Sequence, residues 1–346
     1  MNYSLDKVKG CIIGGAAGDA LGYPVEFLSR KAILSKFGAE GITRYQLHKG
    51  VAQFSDDTQM TLFTATGLMA AATDGCWAKH VTWHYVDWYW TQHFKPGIKH
   101  YSWLFEIPEL HDRRAPGMTC MGALSDIVNG IDPHNDSKGC GGVMRVAPVA
   151  LCRRLREKED AAFIYSLGGA VADITHNNPL GYMPAAMLVM LLDKIIRCGE
   201  AIDRDVLKRL VLECIAELGT VRMHDEDGAY DKYPDALNSL CTLMTLAVFL
   251  ADGDRLDEDC IRELGEGWTG DEALAIAVYC ALRHADSFED ALVAAVNHSG
   301  DSDSTGAICG NIMGLIYGYD AIPSHFKEHL ELLPVLEKVA EELYAG

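Results

Sequence analysis

Apolar residues recur in this chain with helical spacing, and almost no segment alternates with the period of two that a half-buried strand requires. Helical patterns cover residues 7–22, Met60–Ala72, Val81–Phe94, Thr119–Asn129, Ala161–Ile174, Pro184–Arg197, Arg204–Leu218, Pro234–Leu250, Asp271–His284, Phe288–Asn297, Ala307–Tyr317 and Phe326–Tyr344. Helices bury their apolar stripes against one another. The sequence therefore predicts an all-α fold of about a dozen helices. Because no linker or repeat interrupts the pattern, we expect a single compact domain over residues 1–346.

The composition indicates a soluble protein with a substantial core. The chain has 346 residues, 49% of them hydrophobic, and a formal net charge of −19. Such a charge repels nucleic acid and anionic membranes, so neither is an expected partner. The longest apolar segment, near Met183–Leu192, contains Pro184 and is too short to span a bilayer.

The cysteines point to a reducing compartment. There are 11, an odd number, scattered along the chain without a Cys-x-x-Cys pair. Disulfide frameworks and zinc sites have regular, paired spacings instead. We therefore expect free thiols and a cytoplasmic location.

Two acidic turns share one pattern of residues. The first acidic turn is Ser55-Asp56-Asp57-Thr58, and the second acidic turn is Asp301-Ser302-Asp303-Ser304. Each places paired carboxylates beside hydroxyls at the start of a predicted helix. One interpretation is that these residues are helix N-caps, for which Ser, Thr and Asp are preferred.

The other interpretation is a cation site formed where the two turns meet. Like charges 4 Å apart repel by about 4 kcal/mol at an effective dielectric near 20, so four bare aspartates would not gather. Two divalent cations would neutralise them, and two-metal hydrolytic sites hold ions roughly 3.5–4 Å apart. One aspartate per helix suffices for a cap, so the pattern favours the cation site.

Three further features carry polar groups that are candidates for a site. Glu26 follows the glycine turn at Gly22 among apolar neighbours, either as a surface carboxylate or as a cleft carboxylate available for proton transfer. The Gly139–Arg145 segment is rich in glycine, so its backbone N–H groups could converge on an oxyanion, with Arg145 adding a charge-assisted contact. Alternatively it is a flexible turn with Arg145 in a structural salt bridge. His176, at a predicted helix C-terminus, is either a cationic cap or part of a hydrogen-bonding rim.

These segments together resemble the ADP-ribosylglycohydrolase family. The resemblance is carried, in order, by Gly18-Asp19-Ala20-Leu21-Gly22 with Glu26, Ser55–Met60, Gly139–Arg145 followed by Ala147-Pro148, Thr175-His176, and Gly300–Ser304. It covers almost the whole chain. It implies an all-helical fold and two bound divalent cations, usually Mg²⁺ and in some members Mn²⁺.

The resemblance also implies roles for individual residues. The implied metal ligands are Ser55, Asp56, Asp57, Asp301, Asp303 and Ser304. The implied substrate contacts are Gly139, Cys140, Gly141, Gly142, Val143, Met144 and Arg145 at the diphosphate and His176 at the ADP-ribose cleft. Glu26 would lie near the scissile bond, and either Glu26 or Asp57 would take the proton from water. Cys140 stands where the family often has Asn.

The implied reaction is hydrolysis of the glycosidic bond between ADP-ribose and a protein side chain, with arginine as the preferred acceptor. ADP-ribosylated proteins and ADP-ribose are then the expected partners. Two alternatives stay open. One is a protein that binds ADP-ribose or a partner without turnover, and the other is a hydrolase of another linkage, such as O-linked serine, nucleic acid or a small molecule.

Overall fold

The computed structural model describes residues 3–71, 73–93, 97–222 and 230–346, so Ala72 and Phe94, the predicted ends of two helices, lie outside it. The described part contains 16 α-helices. They are α1 (Leu5–Gly22), α2 (Arg30–Phe37), α3 (Asp56–Ala71), α4 (Trp77–Gln92), α5 (Met118–Val128), α6 (Ala147–Leu151), α7 (Arg153–Lys158), α8 (Ala161–Asp173), α9 (Pro179–Arg197), α10 (Arg204–Glu217), α11 (Pro234–Ala251), α12 (Asp257–Leu264), α13 (Gly270–Arg283), α14 (Phe288–Val296), α15 (Ser302–Tyr317) and α16 (Leu333–Ala345). In these residues the β-structure is limited to isolated bridges.

The all-α prediction is confirmed, and its errors lie at short helices and helix starts. Four helices of five to eight residues, α2, α6, α7 and α12, were not predicted. They are too short to show a clear apolar period. Helix α15 begins at Ser302, earlier than the predicted Ala307, because its first turn consists of polar residues. Helix α16 begins at Leu333 and not at Phe326.

Among the described residues, two helices are long and apolar enough to cross a membrane, judged by length and composition alone. One is α9, whose 19 residues extend well beyond the apolar segment Met183–Leu192, which alone is too short to span a bilayer. However, 89% of the apolar stretch of α9 is buried inside the protein, as in a core helix. The other is α11, with 33% of its window buried.

Helices α1 and α15 pack backbone against backbone, and this contact places the helix ends that form the site. Glycines on α1 face glycines on α15 at four-residue intervals. A Cβ atom at Gly14 would lie 2.3 Å from the Gly310 carbonyl oxygen, and one at Gly18 would lie 1.9 Å from that of Gly306. No side chain fits between such surfaces. The antiparallel pairing therefore holds the C-terminal end of α1 beside the N-terminal end of α15.

Candidate metal centre

The first acidic turn is fixed by a carboxylate from another helix. Asp19, in the last turn of α1, is fully buried. Its Oδ1 accepts the Ser55 N–H at 2.8 Å, and its Oδ2 accepts the Thr58 N–H at 3.0 Å and the Thr58 hydroxyl at 2.5 Å. Free N–H groups at the start of α3 are thereby satisfied from outside the helix. Ser55 Oγ also accepts the Asp57 N–H at 3.2 Å, so the N-cap interpretation is correct for Ser55 and wrong for Asp56 and Asp57.

These two aspartates are buried and only partly satisfied. Asp56 Oδ2 accepts the Gly117 N–H at 3.1 Å. Asp57 is 3% exposed, and its Oδ2 has no hydrogen-bond partner in the described part of the chain. Burying a carboxylate oxygen without a partner is costly. A cation against Asp57 Oδ2 would remove that cost.

The second acidic turn caps its own helix. Asp301 is the N-cap residue of α15, and its Oδ1 accepts the Ser304 N–H at 3.2 Å. The N-cap interpretation is correct here. The other carboxylate oxygen of Asp301, Oδ2, accepts a hydrogen bond from the Cys140 thiol, with 2.6 Å between sulfur and oxygen. Asp303 Oδ1 also accepts the Ser304 N–H, at 3.1 Å.

Both turns and Glu26 meet in one cluster. Carboxylate oxygens of Glu26, Asp301 and Asp303 lie within 4.8 Å of one another. The Ser304 side chain lowers the pKa of Asp57, although burial and neighbouring aspartates raise it more. The charge of Asp57 in turn raises the pKa of Asp303, next to burial. The packing of α1 on α15 and the Asp19 bonds to α3 account for this convergence.

Electrostatics show that the cluster lacks compensating positive charge. Burial, with the charges of Asp301 and Asp56, raises the pKa of Glu26 to about 9. Burial raises the pKa of Asp56 to about 8 and holds the pKa values of Asp57 and Asp303 well above their usual range. The donors are mainly hard oxygens, and both Asp57 Oδ2 and Glu26 Oε2 are buried without partners in the described residues. This donor set fits divalent cations such as Mg²⁺.

The glycine segment forms a short turn over this cluster. Cys140–Gly142 makes one turn of 3₁₀ helix. The Cys140 N–H donates to the Trp268 carbonyl oxygen at 3.1 Å, and the Gly139 N–H donates to Ser137 Oγ at 3.3 Å. Those two amides are already bonded inside the protein. The amides of Gly141 and Gly142 remain as candidates for the predicted contact with an oxyanion.

His176 supports this turn from behind. It is 2% exposed, and its Nε2 would lie 3.2 Å from a Cβ atom placed on Gly139. Burial, with the Arg145 charge, lowers the pKa of His176 to about 3. The ring is therefore neutral, and the cationic-cap interpretation is wrong. Its near-complete burial makes it a support for the glycine turn more than an open rim.

Arg145 is also behind the turn and away from solvent. Its guanidinium lies 4.4 Å from the centroid of the Tyr85 ring and donates to Thr175 Oγ1 at 2.6 Å. Arg145 is fully buried, as is Val143, and Met144 is 3% exposed. No ion pair joins Arg145 to a carboxylate in the described residues. Neither the predicted oxyanion contact nor the alternative salt bridge is present, because a π face and neutral acceptors hold the cation.

A cleft of about 360 Å³ opens beside the cluster. Its walls include Tyr23, Glu26, Phe27, Gln46, Leu47, His48, Gln53 and Ala115. Glu26 thus belongs both to the cleft wall and to the carboxylate cluster. Nearby, Phe27, which is 73% exposed, stacks on Trp268 with ring centroids 5.8 Å apart.

Sequence reasoning assigned no role to three residues that shape this centre. Asp19 is a lone charge within a run of small residues, and this pattern indicates a buried carboxylate that has a partner. Gly117 contributes a backbone amide and Trp268 a backbone carbonyl. Neither has a sequence signal, because backbone groups bond regardless of side-chain type.

Comparisons with known proteins show which family the chain belongs to. The family model described as ADP-ribosylglycohydrolase matches residues 2–346. The ADP-ribosylhydrolase ARH3 of Danio rerio is 25% identical, over 98% of this chain and 90% of that protein. The ADP-ribosylarginine hydrolase Tri1 of Pseudomonas putida is 23% identical, over 99% of this chain and 78% of its own.

The solved structure titled "ADP-ribosylglycohydrolase-related protein complex" has the same fold, with a TM-score of 0.67 and 23% identity. The alignment covers 100% of this chain and 99% of that one. An all-helical architecture, a buried carboxylate cluster and a family match from end to end lead to one conclusion. The chain belongs to the ADP-ribosylglycohydrolase family, and it is an enzyme that hydrolyses glycosidic bonds.

Proposed function

We propose that this protein is a binuclear-metal-dependent hydrolase that removes ADP-ribose from modified protein side chains, with the N-glycosidic bond to arginine as its substrate. The observation that carries the proposal is the cluster of buried carboxylates at the wall of a cleft, with two of its oxygens unpartnered in the described residues. The arginine linkage is supported by the printed name of the Pseudomonas putida relative.

The proposed cofactor is a pair of divalent cations, with Mg²⁺ favoured and Mn²⁺ the alternative. The residues that would hold them are Ser55, Asp56, Asp57, Asp301, Asp303 and Ser304, all 5% exposed or less. Mg²⁺ is favoured because the donors are mainly carboxylate and hydroxyl oxygens. When bound, such cations lower the pKa of water and orient substrate oxygens.

Glu26 is the better of the two candidates for accepting the proton of the attacking water. It lines the cleft, whereas Asp57 lies in the first acidic turn and is almost fully buried. In the proposed step the water oxygen bonds to the anomeric carbon as the carbon–nitrogen bond breaks. Bound cations would lower the pKa of Glu26 and so keep it ionised. One water proton then passes to the Glu26 carboxylate, and the departing guanidine nitrogen regains a proton from the same carboxyl. The transition state is oxocarbenium-like, so nearby carboxylates stabilise it.

Binding of an anionic diphosphate to a chain of net charge −19 needs local compensation. The amides of Gly141 and Gly142, on the turn that covers the cluster, can donate to phosphate oxygens. The bound cations would neutralise the carboxylates below. We also propose a cytoplasmic location, which suits a chain whose 11 cysteines are all free thiols.

A panel of substrates tests the proposal. Peptides ADP-ribosylated on arginine or on serine, and an ADP-ribosylated oligonucleotide, are incubated with the protein, and released ADP-ribose is quantified. We expect release from the arginine peptide, loss of that release after exhaustive chelation, and recovery with Mg²⁺ or Mn²⁺.

Each other outcome removes a different part of the proposal. Full activity after chelation contradicts the metal requirement. Release only from the serine peptide or the oligonucleotide contradicts the arginine linkage. ADP-ribose binding without turnover of any substrate would favour a binding protein.

A further inference from the structure

One side chain in the cluster is not an oxygen donor. Cys140 lies in the turn over the cations' proposed site, and that turn is fixed on both sides. The Cys140 N–H bonds to the Trp268 carbonyl oxygen at 3.1 Å, and Gly139 forms a bridge with Thr269. The backbone is thus anchored to the segment that leads into α13. Its side chain is directed at the second acidic turn.

The sulfur contacts the one oxygen of Asp301 that the helix cap leaves free. Asp301 Oδ1 accepts the Ser304 N–H, while Oδ2 lies 2.6 Å from Cys140 Sγ. An oxygen at about 2.1 Å and a sulfur at about 2.3 Å from one ion lie about 3.1 Å apart at a right angle and about 3.6 Å apart at the tetrahedral angle. Cys140 Sγ and Asp301 Oδ2 would therefore move apart by about 0.5–1 Å when an ion enters between them.

A second observation shows that this position faces a ligand. Asp57 Oδ2 is buried and unpartnered in the described residues. Glu26 Oε2 is also buried and unpartnered there, and carboxylate oxygens of Glu26 and Asp303 lie within 4.8 Å of one of Asp301. The Asp301 carboxylate that the sulfur contacts thus belongs to a group of three that could hold one ion.

We propose that Cys140 Sγ is a ligand of the cation bound by Asp301, so that one of the two cation positions favours thiophilic divalent ions over Mg²⁺. This inference rests on the metal centre of the proposed function. Soft thiolate ligands select ions such as Zn²⁺, whereas carboxylate and water suit Mg²⁺ and Mn²⁺. The thiol releases its proton to solvent as the ion binds. The second position keeps oxygen donors alone.

Optical titration of the full chain with Co²⁺ tests the sulfur ligand directly. The protein is freed of metal, kept reduced, and titrated while near-ultraviolet absorbance is recorded. We expect a sulfur-to-cobalt charge-transfer band that saturates with one ion per chain. The band should be absent from Cys140→Ser and unchanged in Cys76→Ser, which removes an exposed thiol before α4.

Calorimetric titrations with Cd²⁺ and Mg²⁺ give the selectivity. The ratio of Cd²⁺ to Mg²⁺ affinity should fall at least about tenfold in Cys140→Ser, because a hydroxyl replaces the thiolate. The inference is overturned if Co²⁺ binds without the band, if the band persists in Cys140→Ser, if the ratio is unchanged, or if neither Co²⁺ nor Cd²⁺ binds.

The proposed function fails separately. If Asp303→Ala binds Mg²⁺ as tightly as the unmodified protein, the metal centre itself is misplaced. If Mg²⁺ binding depends on Asp303 but Co²⁺ shows no sulfur band, the centre holds and only the Cys140 ligand is wrong.

Discussion

The first acidic turn is capped partly by Ser55 and partly by an aspartate of another helix, whereas in the second acidic turn a carboxylate of the cluster caps its own helix. Asp19 of α1 bonds the N–H groups of Ser55 and Thr58, which leaves Asp56 and Asp57 with no capping role. In the second turn Asp301 itself accepts the Ser304 N–H. In the first turn Asp19 holds the backbone in place while Asp56 and Asp57 carry the charge. In the second turn Asp301 does both. Substitutions can therefore separate the two roles.

The largest effect should come from two carboxylates of the cluster that are not N-cap residues. We expect Asp57→Ala and Asp303→Ala each to weaken Mg²⁺ binding by more than about 100-fold. Substitutions of residues that only orient metal ligands typically weaken it by about 10–100-fold. Release of ADP-ribose by both variants should fall with Mg²⁺ binding. Calorimetry and a release assay measure both, and circular dichroism should show unchanged helix content. Normal turnover by both variants would remove these residues from the centre.

Asp19→Ala removes the carboxylate that holds the first acidic turn in place and leaves Asp56 and Asp57 unchanged. We expect Mg²⁺ affinity to fall about 10–100-fold, the range for residues that orient metal ligands. The lost bonds to Ser55 and Thr58 should also destabilise the protein by about 1–3 kcal/mol, because buried N–H groups lose their acceptor. Chemical denaturation measures the second effect. Unchanged metal affinity would show that α3 holds its carboxylates without help from α1.

Asp301→Asn separates charge from cap in the second turn. Asparagine is as good an N-cap as aspartate, so the free energy of unfolding without metal should change by less than about 0.5 kcal/mol. Mg²⁺ affinity should fall about tenfold, since a neutral amide oxygen replaces a carboxylate. A loss of metal-free stability comparable with that of Asp19→Ala would mean that the two turns are built alike.

The metal-free protein should also change in stability with pH. A carboxyl whose pKa is raised by folding stabilises the folded state at low pH, and that contribution is lost as the pH rises through the folded-state pKa. With Asp56 near 8 and Glu26 near 9, the metal-free protein should lose thermal stability between about pH 4 and pH 9. Saturating Mg²⁺ should reduce this slope and add about 2.7 kcal/mol at one hundred times its Kd. Equal slopes with and without Mg²⁺ would contradict this.

Much of the fold and the charged part of the site could be predicted from local pattern. Helices of more than ten residues have a clear period, and paired aspartates beside hydroxyls mark both acidic turns. The close packing of α1 on α15 could not be predicted, because the sequence does not give the pairing of distant helices. Arg145 was misassigned for a related reason. Its burial against Tyr85 depends on packing that no short motif encodes.

The central claim is that the two acidic turns together hold a pair of divalent ions. Crystals soaked in Mn²⁺ and measured at the manganese absorption edge test it most directly. The account predicts two anomalous peaks roughly 3.5–4 Å apart, in contact with carboxylates of both turns. No peak between the turns, or peaks that touch one turn alone, would contradict it.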